Sequence, residues 1–221
     1  MAVRQHTAPF PRLSVDDLAK WKGAEAAAVS DCLDRGYALD GGIKPLDRSM
    51  RLVGQARTVH CMAADNSALH AAINMIEPGD ILIADAGGYL GNAVWGGQMT
   101  EAAVLKHIGG LVIDGAVRDS DEIIQHGFPC FARGTVPAGP HKNFGGEIDG
   151  PIACGGVAVR AGDLVIGDAD GVTIVPIERA DRVYTAYQAL KAKEARALAA
   201  LAQGGTLAEI YGVPDVIPLE D

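Results

Sequence analysis

The residues best placed to do chemistry are Arg118 and Asp119, within GGLVIDGAVRDSDEI (Gly109–Ile123). An apolar run, Leu111-Val112-Ile113, stops at Asp114-Gly115, and a cation and an anion follow within a few residues. Loops that follow buried strands are where α/β folds gather ligands. A guanidinium fork there grips a carboxylate, and the adjacent carboxylate suits a hard divalent cation. The plain alternative is that Asp119 N-caps the helix SDEIIQ while Arg118 is a solvated ion-pair partner. Spacing alone does not choose between them.

A second candidate is the glycine-rich GGYLGNAVWGGQM (Gly87–Met99). It matches neither the Walker A pattern nor G-x-G-x-x-G with its downstream acid, so it does not mark a nucleotide site. Gly96, Gly97, Gln98 and Met99 fall where the next helix begins. Free backbone N–H groups at a helix start suit an anion or an enolate oxygen. The remaining ionisable groups carry weaker patterns. His60, His70, His107, His126 and His141 lack tight metal-ligand spacing and read as packing or surface groups. No G-x-S-x-G is present, and nothing marks Lys44, Lys106 or Lys142 as a buried Schiff-base lysine. Asp31 and Glu194 fall on expected helices and by themselves read as exposed-face charges. Asn66 by itself reads as the N-cap of its helix.

The elements that must position these residues alternate along the chain. A helix starts at Ser14, and a second runs from Ala24 to Arg35 before Gly36. A strand is expected over Arg51–Met62, a helix over Ser67–Ile76 and a strand at ILIADA, ahead of the glycine-rich loop. QMTEAAVLKHIGG is a helix closed by glycine, and beyond Pro129 the pattern is one of β-hairpins, with GDADG turning between LVI and VTIV. An Ala-rich helix spans Arg179–Ala202, and TLAE opens a last short helix by capping-box logic. Strand, loop and helix in alternation give an α/β class, with no linker to divide residues 1–221 into two domains.

Composition narrows the function classes. With 48% hydrophobic and 21% charged residues the chain is globular, and its 28 glycines imply many tight turns. A formal charge of −9 without a Lys/Arg cluster disfavours nucleic acid as a direct partner. The N-terminal residues lack an apolar leader, and no segment approaches the length of a membrane span. Cys32, Cys61, Cys130 and Cys154 form no C-x-x-C, so free thiols in a reducing cytoplasm are expected.

Taken together, ADNSALH, PGDILIADAGG, GGQMTEAA, GGLVIDGAVRDSDEI, GFPCFARG and AGDLVIGDADGVTIVP resemble one family over about residues 25–210. It is the class II pyruvate aldolase family that includes 4-hydroxy-4-methyl-2-oxoglutarate/4-carboxy-4-hydroxy-2-oxoadipate aldolase and the regulator of ribonuclease E activity A (RraA). The resemblance implies an α-β-β-α sandwich assembled as a trimer or a dimer of trimers, with active sites between subunits. It implies a lyase using Mg²⁺ or Mn²⁺ that cleaves 4-hydroxy-2-oxo acids to pyruvate, with oxaloacetate decarboxylation as a companion activity. By the same resemblance, Gly96–Met99 form the pyruvate-binding loop, Arg118 binds substrate and Asp119 binds the metal. Glu194 matches a glutamate from the neighbouring subunit, and Asp31 and Asn66 match a helix carboxylate and a loop asparagine. A water oriented by Glu194 and Asp31 is then the base for the 4-hydroxyl. One departure stands out: Gly97 lies where several aldolases carry an acidic residue. The segment HKNFGGEIDGPI (His141–Ile152) departs as well. The competing function implied by the RraA branch is a non-catalytic protein that binds and inhibits a ribonuclease.

Overall fold

The computed structural model describes residues 1–219. In chain order, strand β1 (Val3–Gln5) precedes helices α1 (Val15–Ala19) and α2 (Ala26–Asp31), then strands β2 (Lys44–Pro45) and β3 (Leu52–Cys61). Helix α3 (Ser67–Ile73) leads to β4 (Ile81–Asp85) and β5 (Ala93–Trp95), and α4 (Gly97–Leu105) leads to β6 (Gly110–Val117). Helix α5 (Ser120–Gln125) and β7 (Cys130–Thr135) follow. Short strands β8 (Gly146–Ile148), β9 (Ile152–Cys154) and β10 (Val157–Val159) precede the hairpin of β11 (Leu164–Asp168) and β12 (Gly171–Val175). Helices α6 (Ala180–Ala202) and α7 (Leu207–Tyr211) end the regular structure.

Strand β3 joins two layers. Its first half, Leu52–Gln55, pairs antiparallel with β11, and its second half, Ala56–His60, pairs parallel with β4. From β4 the parallel sheet continues through β6 to β7. Side-chain alternation along each strand assigns the faces. On β4 and β6, Leu82, Ala84, Leu111 and Ile113 pack under helices α3–α5 with Leu69, Ala72, Met99, Ala103 and Ile123. Ile81, Ile83 and Val112 point the other way, onto Val165, Val172 and Ile174 of the hairpin. The hairpin's outer residues, Leu164, Ile166 and Val175, meet Val29 of α2 and Val183 and Tyr187 of α6. Three apolar seams thus bind four layers: helices, parallel sheet, hairpin layer, helices. That is the expected α-β-β-α sandwich, in one domain.

Several local expectations change. The apolar run does not end its strand at Asp114-Gly115: β6 continues to Val117 through a register shift after Ile113. There the strand exchanges partners, leaving β4 at Asp114 and taking β5 at Ala116 and Val117. Asp114 anchors the irregularity by accepting from Gly155 N at 2.7 Å and Arg133 Nε at 2.6 Å. Gly115 is required by close approach, since a Cβ would lie 2.8 Å from that of Ala86. The glycine-rich loop hides β5, too short for periodicity to reveal. Strand β7, expected in a hairpin, lies parallel to β6 because α5 carries the chain across the sheet. Helix α2 stops at Asp31, where Asp34 and Arg35 turn with left-handed φ of 55° and 64°. Helix α3 likewise ends at Ile73, three residues early.

The N-terminal segment is fastened by a buried ion network. Arg57 on β3 donates through Nε and Nη2 to Asp149 at 2.7 and 2.8 Å, with both side chains nearly inaccessible. Arg12 pairs with Asp80, and both guanidinium groups lie against the Phe10 ring. Removing one member leaves the other charge buried and unpaired. Arg57→Met is therefore expected to lower unfolding free energy by about 3 kcal/mol in urea titrations. A loss within error of zero would mean that water reaches Asp149 freely.

Candidate active site

Two neighbouring strand ends deliver the candidate residues to one place. Trp95 closes β5 and Val117 closes β6, in register, and Arg118 N donates to Trp95 O at 3.0 Å. The residues after each strand, Gly96-Gly97 and Arg118-Asp119, are thereby juxtaposed. Gly96, Arg118 and Asp119 line a cleft with Trp95, Gln98, Met99, Asn66, His70, Pro140 and Lys142. Trp95 holds the turn from below: its Nε1 donates to Thr100 Oγ1 at 2.8 Å, and that hydroxyl donates to Gly96 O at 3.2 Å.

Asp119 occupies the N-cap position of α5, yet its side chain makes no capping bond, and its backbone is left-handed at φ 55°. Aspartate is among the residues that adopt this conformation, as Asp34 and Asp149 do elsewhere in the chain. At Asp119 it turns the carboxylate away from its own helix and towards α4, where Gly97 N donates to Oδ2 at 3.0 Å. The capping alternative therefore fails. Arg118 Nε stands 3.5 Å from the same oxygen, and both side chains remain about two-fifths exposed. They face the cleft while open to solvent.

The glycine pair is explained by space rather than by φ. A Cβ at Gly96 would lie 2.6 Å from Asp119 Oδ2, and one at Gly97 would lie 1.7 Å from Glu122 Oε2. Two carboxylates thus fill the volume these side chains would take. With Gly97 N committed to Asp119 and Met99 N donating to Gly96 O at 3.1 Å, the loop's anion-binding role narrows towards the Gln98 amide.

Asn66 does not cap α3 with its side chain. Asp65 does that work instead, accepting from Ser67 N at 2.8 Å and from Asn143 N and Phe144 N at 2.8 and 3.1 Å. These bonds hold the Asp65 carboxyl below its ordinary pKa despite the opposing effect of burial. They leave the Asn66 side chain without a capping role, in the lining of the cleft. Its Nδ2 contacts Met99 Sδ at 3.3 Å, and its Oδ1 is buried without a partner, alone in this among the described residues. A buried acceptor left unpaired costs about 1–3 kcal/mol, so it points to a missing donor.

Asp31 and Glu194 are not at this cleft within one chain. They lie on α2 and α6, in the opposite outer layer, where both bear on the Cys32 thiol. Asp31 pairs with Arg35 at 3.3 Å, and Glu194 pairs with Lys191 at 2.8 Å. Conversely, His70 and Lys142, read from sequence as ordinary, do line the cleft. Burial and the Lys142 charge push the His70 pKa down, which keeps the ring neutral at pH 7. His70 lies one helical turn beyond Asn66. This i, i+4 spacing is a signal available in the sequence once Asn66 is assigned inward. Lys142 arrives from a distant loop and had no such signal. The thiols are free, and Cys61, Cys130 and Cys154 are buried. Burial pushes the Cys61 thiol up to about 12, so it is not a nucleophile at neutral pH.

No group of three His, Cys, Asp or Glu side chains converges among the described residues, which excludes an all-protein cage of such ligands within one chain. The donor set suits a different ion. One half-exposed carboxylate at Asp119, with Glu122 filling the space above Gly97, fits a hard cation that retains several waters.

Comparison with known proteins identifies the family. The family model for RraA-like proteins, described as Aldolase/RraA, matches residues 26–174. A Halalkalibacterium halodurans protein provisionally named 4-hydroxy-4-methyl-2-oxoglutarate aldolase is 39% identical over 82% of this chain and 85% of its own. A Thermus thermophilus protein carrying that name outright is 31% identical over 69% of this chain and 93% of its own. The solved structure of the RNA-processing inhibitor RraA from Thermus thermophilus superposes with a TM-score of 0.64 at 31% identity, covering 69% of this chain and 93% of that one. The chain belongs to the RraA-like (Aldolase/RraA) family.

Proposed function

We propose that the protein is a lyase that cleaves 4-hydroxy-2-oxo di- or tricarboxylic acids to pyruvate and a second oxo acid, and that it also decarboxylates oxaloacetate. The observation that carries this reading is Asp119, whose carboxylate makes no cap on its own helix and stands beside Arg118 at the cleft. Asp119 would hold Mg²⁺ or Mn²⁺ directly, and such a cation would polarise the substrate's 2-oxo group. Arg118 grips the same carboxylate end and stabilises negative charge on the C2 oxygen. The Gln98 amide adds a donor to that oxygen. As the 4-hydroxyl loses its proton, C4 becomes a carbonyl, the C3–C4 bond breaks and its electron pair forms the pyruvate enolate. Protonation at C3 completes pyruvate. Asn66 lines the same cleft, with its Nδ2 against Met99 Sδ. Lys142, the second cation of the cleft, suits a second carboxylate.

The proton acceptor is supplied by assembly. The chains associate as a trimer or a dimer of trimers, which brings Glu194 and Asp31 of a neighbouring copy to this cleft, where they orient the water that takes the proton. Decarboxylation of oxaloacetate needs only the enolate-stabilising half of the site.

Excess EDTA is expected to abolish pyruvate release, measured by coupling to lactate dehydrogenase, and added Mg²⁺ or Mn²⁺ to restore it. Full turnover in chelator would exclude the reading. The RraA relative supports a second reading, a non-catalytic inhibitor of RNA processing. That reading predicts no pyruvate release from any 4-hydroxy-2-oxo acid or oxaloacetate with metal present.

A further inference from the structure

Helix α1 and the tail after α7 both lie outside residues 26–174, the part that the family model matches. Helix α1 buries none of its residues, and Val15 is 85% exposed. A groove beside it is lined from α1 by Val15, Leu18 and Ala19 and from β3 by Leu52 and Val53; Lys22 and Arg51 line it as well. Leu52 and Val53 pair with Gly167 and Ile166 of β11, while pairing of β3 with β4 begins only at Ala56. The groove therefore offers apolar walls, a strand segment with a single recorded partner, and two cations. Among the described residues neither cation meets a carboxylate. Arg51 Nη1 donates instead to the backbone oxygens of Arg48 and Met50, each at 2.8 Å.

The tail has the complementary character. After α7 the sequence reads VPDVIPLED, with four aliphatic residues, two prolines, three acids and no base. Val216 and Leu219 are 95% exposed and Ile217 is 83% exposed, so their own chain gives them no cover. The prolines restrict the segment before it docks, which lowers the ordering cost of docking. An open strand edge accepts an extended peptide through its backbone and holds its apolar side chains in flanking pockets. The acids match Lys22 and Arg51 in sign. Within one chain, tail and groove start from opposite halves of α6. The Tyr211 ring, at the end of α7, lies 5.5 Å from Lys193 Nζ, whereas Trp21, just past α1, packs on Tyr184 at 5.2 Å. We infer that the C-terminal tail of one copy seats in the α1–β3 groove of a second copy, an exchange of arms between chains. It is independent of the proposed chemistry and requires only that copies of the chain meet.

Disulfide trapping tests it. Ala19→Cys, in the groove, and Val216→Cys, in the tail, are made in separate full-length chains with tags of different mass, co-expressed, purified, oxidised and run on a non-reducing denaturing gel. Wild-type chains carrying the same two tags report any link through the native thiols. A band at the summed mass of the two unlike chains is expected, beyond any in the wild-type control. Adding Lys22→Glu and Arg51→Glu to the groove chain should cut its yield roughly tenfold, because like charge then faces the tail. All four substituted positions are exposed, so the fold is kept. Absence of the unlike pair overturns the inference. So does a link that forms only inside one chain when a single protein carries both cysteines, which would assign the groove to the chain's own tail. An unlike pair whose yield ignores the charge reversal overturns it as well, since the link would then come from contact without charge-matched seating.

Discussion

Arg118→Ala is expected to lower kcat/KM for pyruvate release by about 10²–10³-fold, the cost of removing one donor to a developing oxyanion. Its unfolding midpoint in urea should stay at the wild-type value. The two halves of this prediction have one cause. The guanidinium is about two-fifths exposed, and its contact with Asp119 is a long 3.5 Å, so in the free protein it contributes little stability. Charge on a substrate oxygen makes the same group far more valuable, because the enolate forms where water is displaced. Arg118→Lys keeps the charge but loses the planar fork, and should fall between the two. The Gly139 backbone marks how tightly that fork is seated: a Cβ there would come within 2.7 Å of Nη1. Turnover near wild type in Arg118→Ala would make the arginine structural and end the proposal of an enolate site.

Mixing two inactive chains should restore activity if the site is shared. Arg118→Ala and Glu194→Gln are each expected to be nearly inert, yet they damage opposite layers of the sandwich. Co-expressed and co-purified through two different tags, they form mixed oligomers. A productive site then needs Arg118 from one copy and Glu194 from its neighbour. Because the two tags select mixed oligomers, that pairing falls at about a third of the interfaces in a trimer and about a quarter in a hexamer, and about that share of wild-type turnover should return. No recovery in oligomers shown to contain both chains would mean that Glu194 acts elsewhere or not at all. The prediction is sharp because within one chain Glu194 is engaged with Lys191 at 2.8 Å and does not line the cleft.

Much of the fold was legible because it depends on period and on turn chemistry. The hairpin at β11 and β12 follows from GDADG between two apolar runs, and the last short helix follows from Thr206 and Glu209, whose capping box is formed in full. The start of α1 is equally local, with Ser14 Oγ accepting from Asp17 N at 3.1 Å. Strand β5 was not legible, since three residues carry no period and its single partner, β6, is distant in sequence. Nor was the continuation of β6 past Asp114-Gly115, because the register shift there answers to Gly155 and Arg133, which no local pattern links to it.

The sequence by itself determined which side chains are available for chemistry: the Arg118-Asp119 pair, the Gly96–Met99 turn, and an acidic chain without a basic cluster. It determined the family too, because those short strings carry the resemblance. Only the tertiary structure decided what the residues do for one another. It turned Asp119 off its own helix, freed Asn66 by giving its capping task to Asp65, and brought His70 and Lys142 to the cleft. It also set the Glu122 carboxylate into the space left by Gly97. The physical reason is the same in each case. A side chain's type is a local property, but its direction is set by whichever donor, void or neighbouring strand end lies within a few ångströms, and those neighbours come from remote parts of the chain.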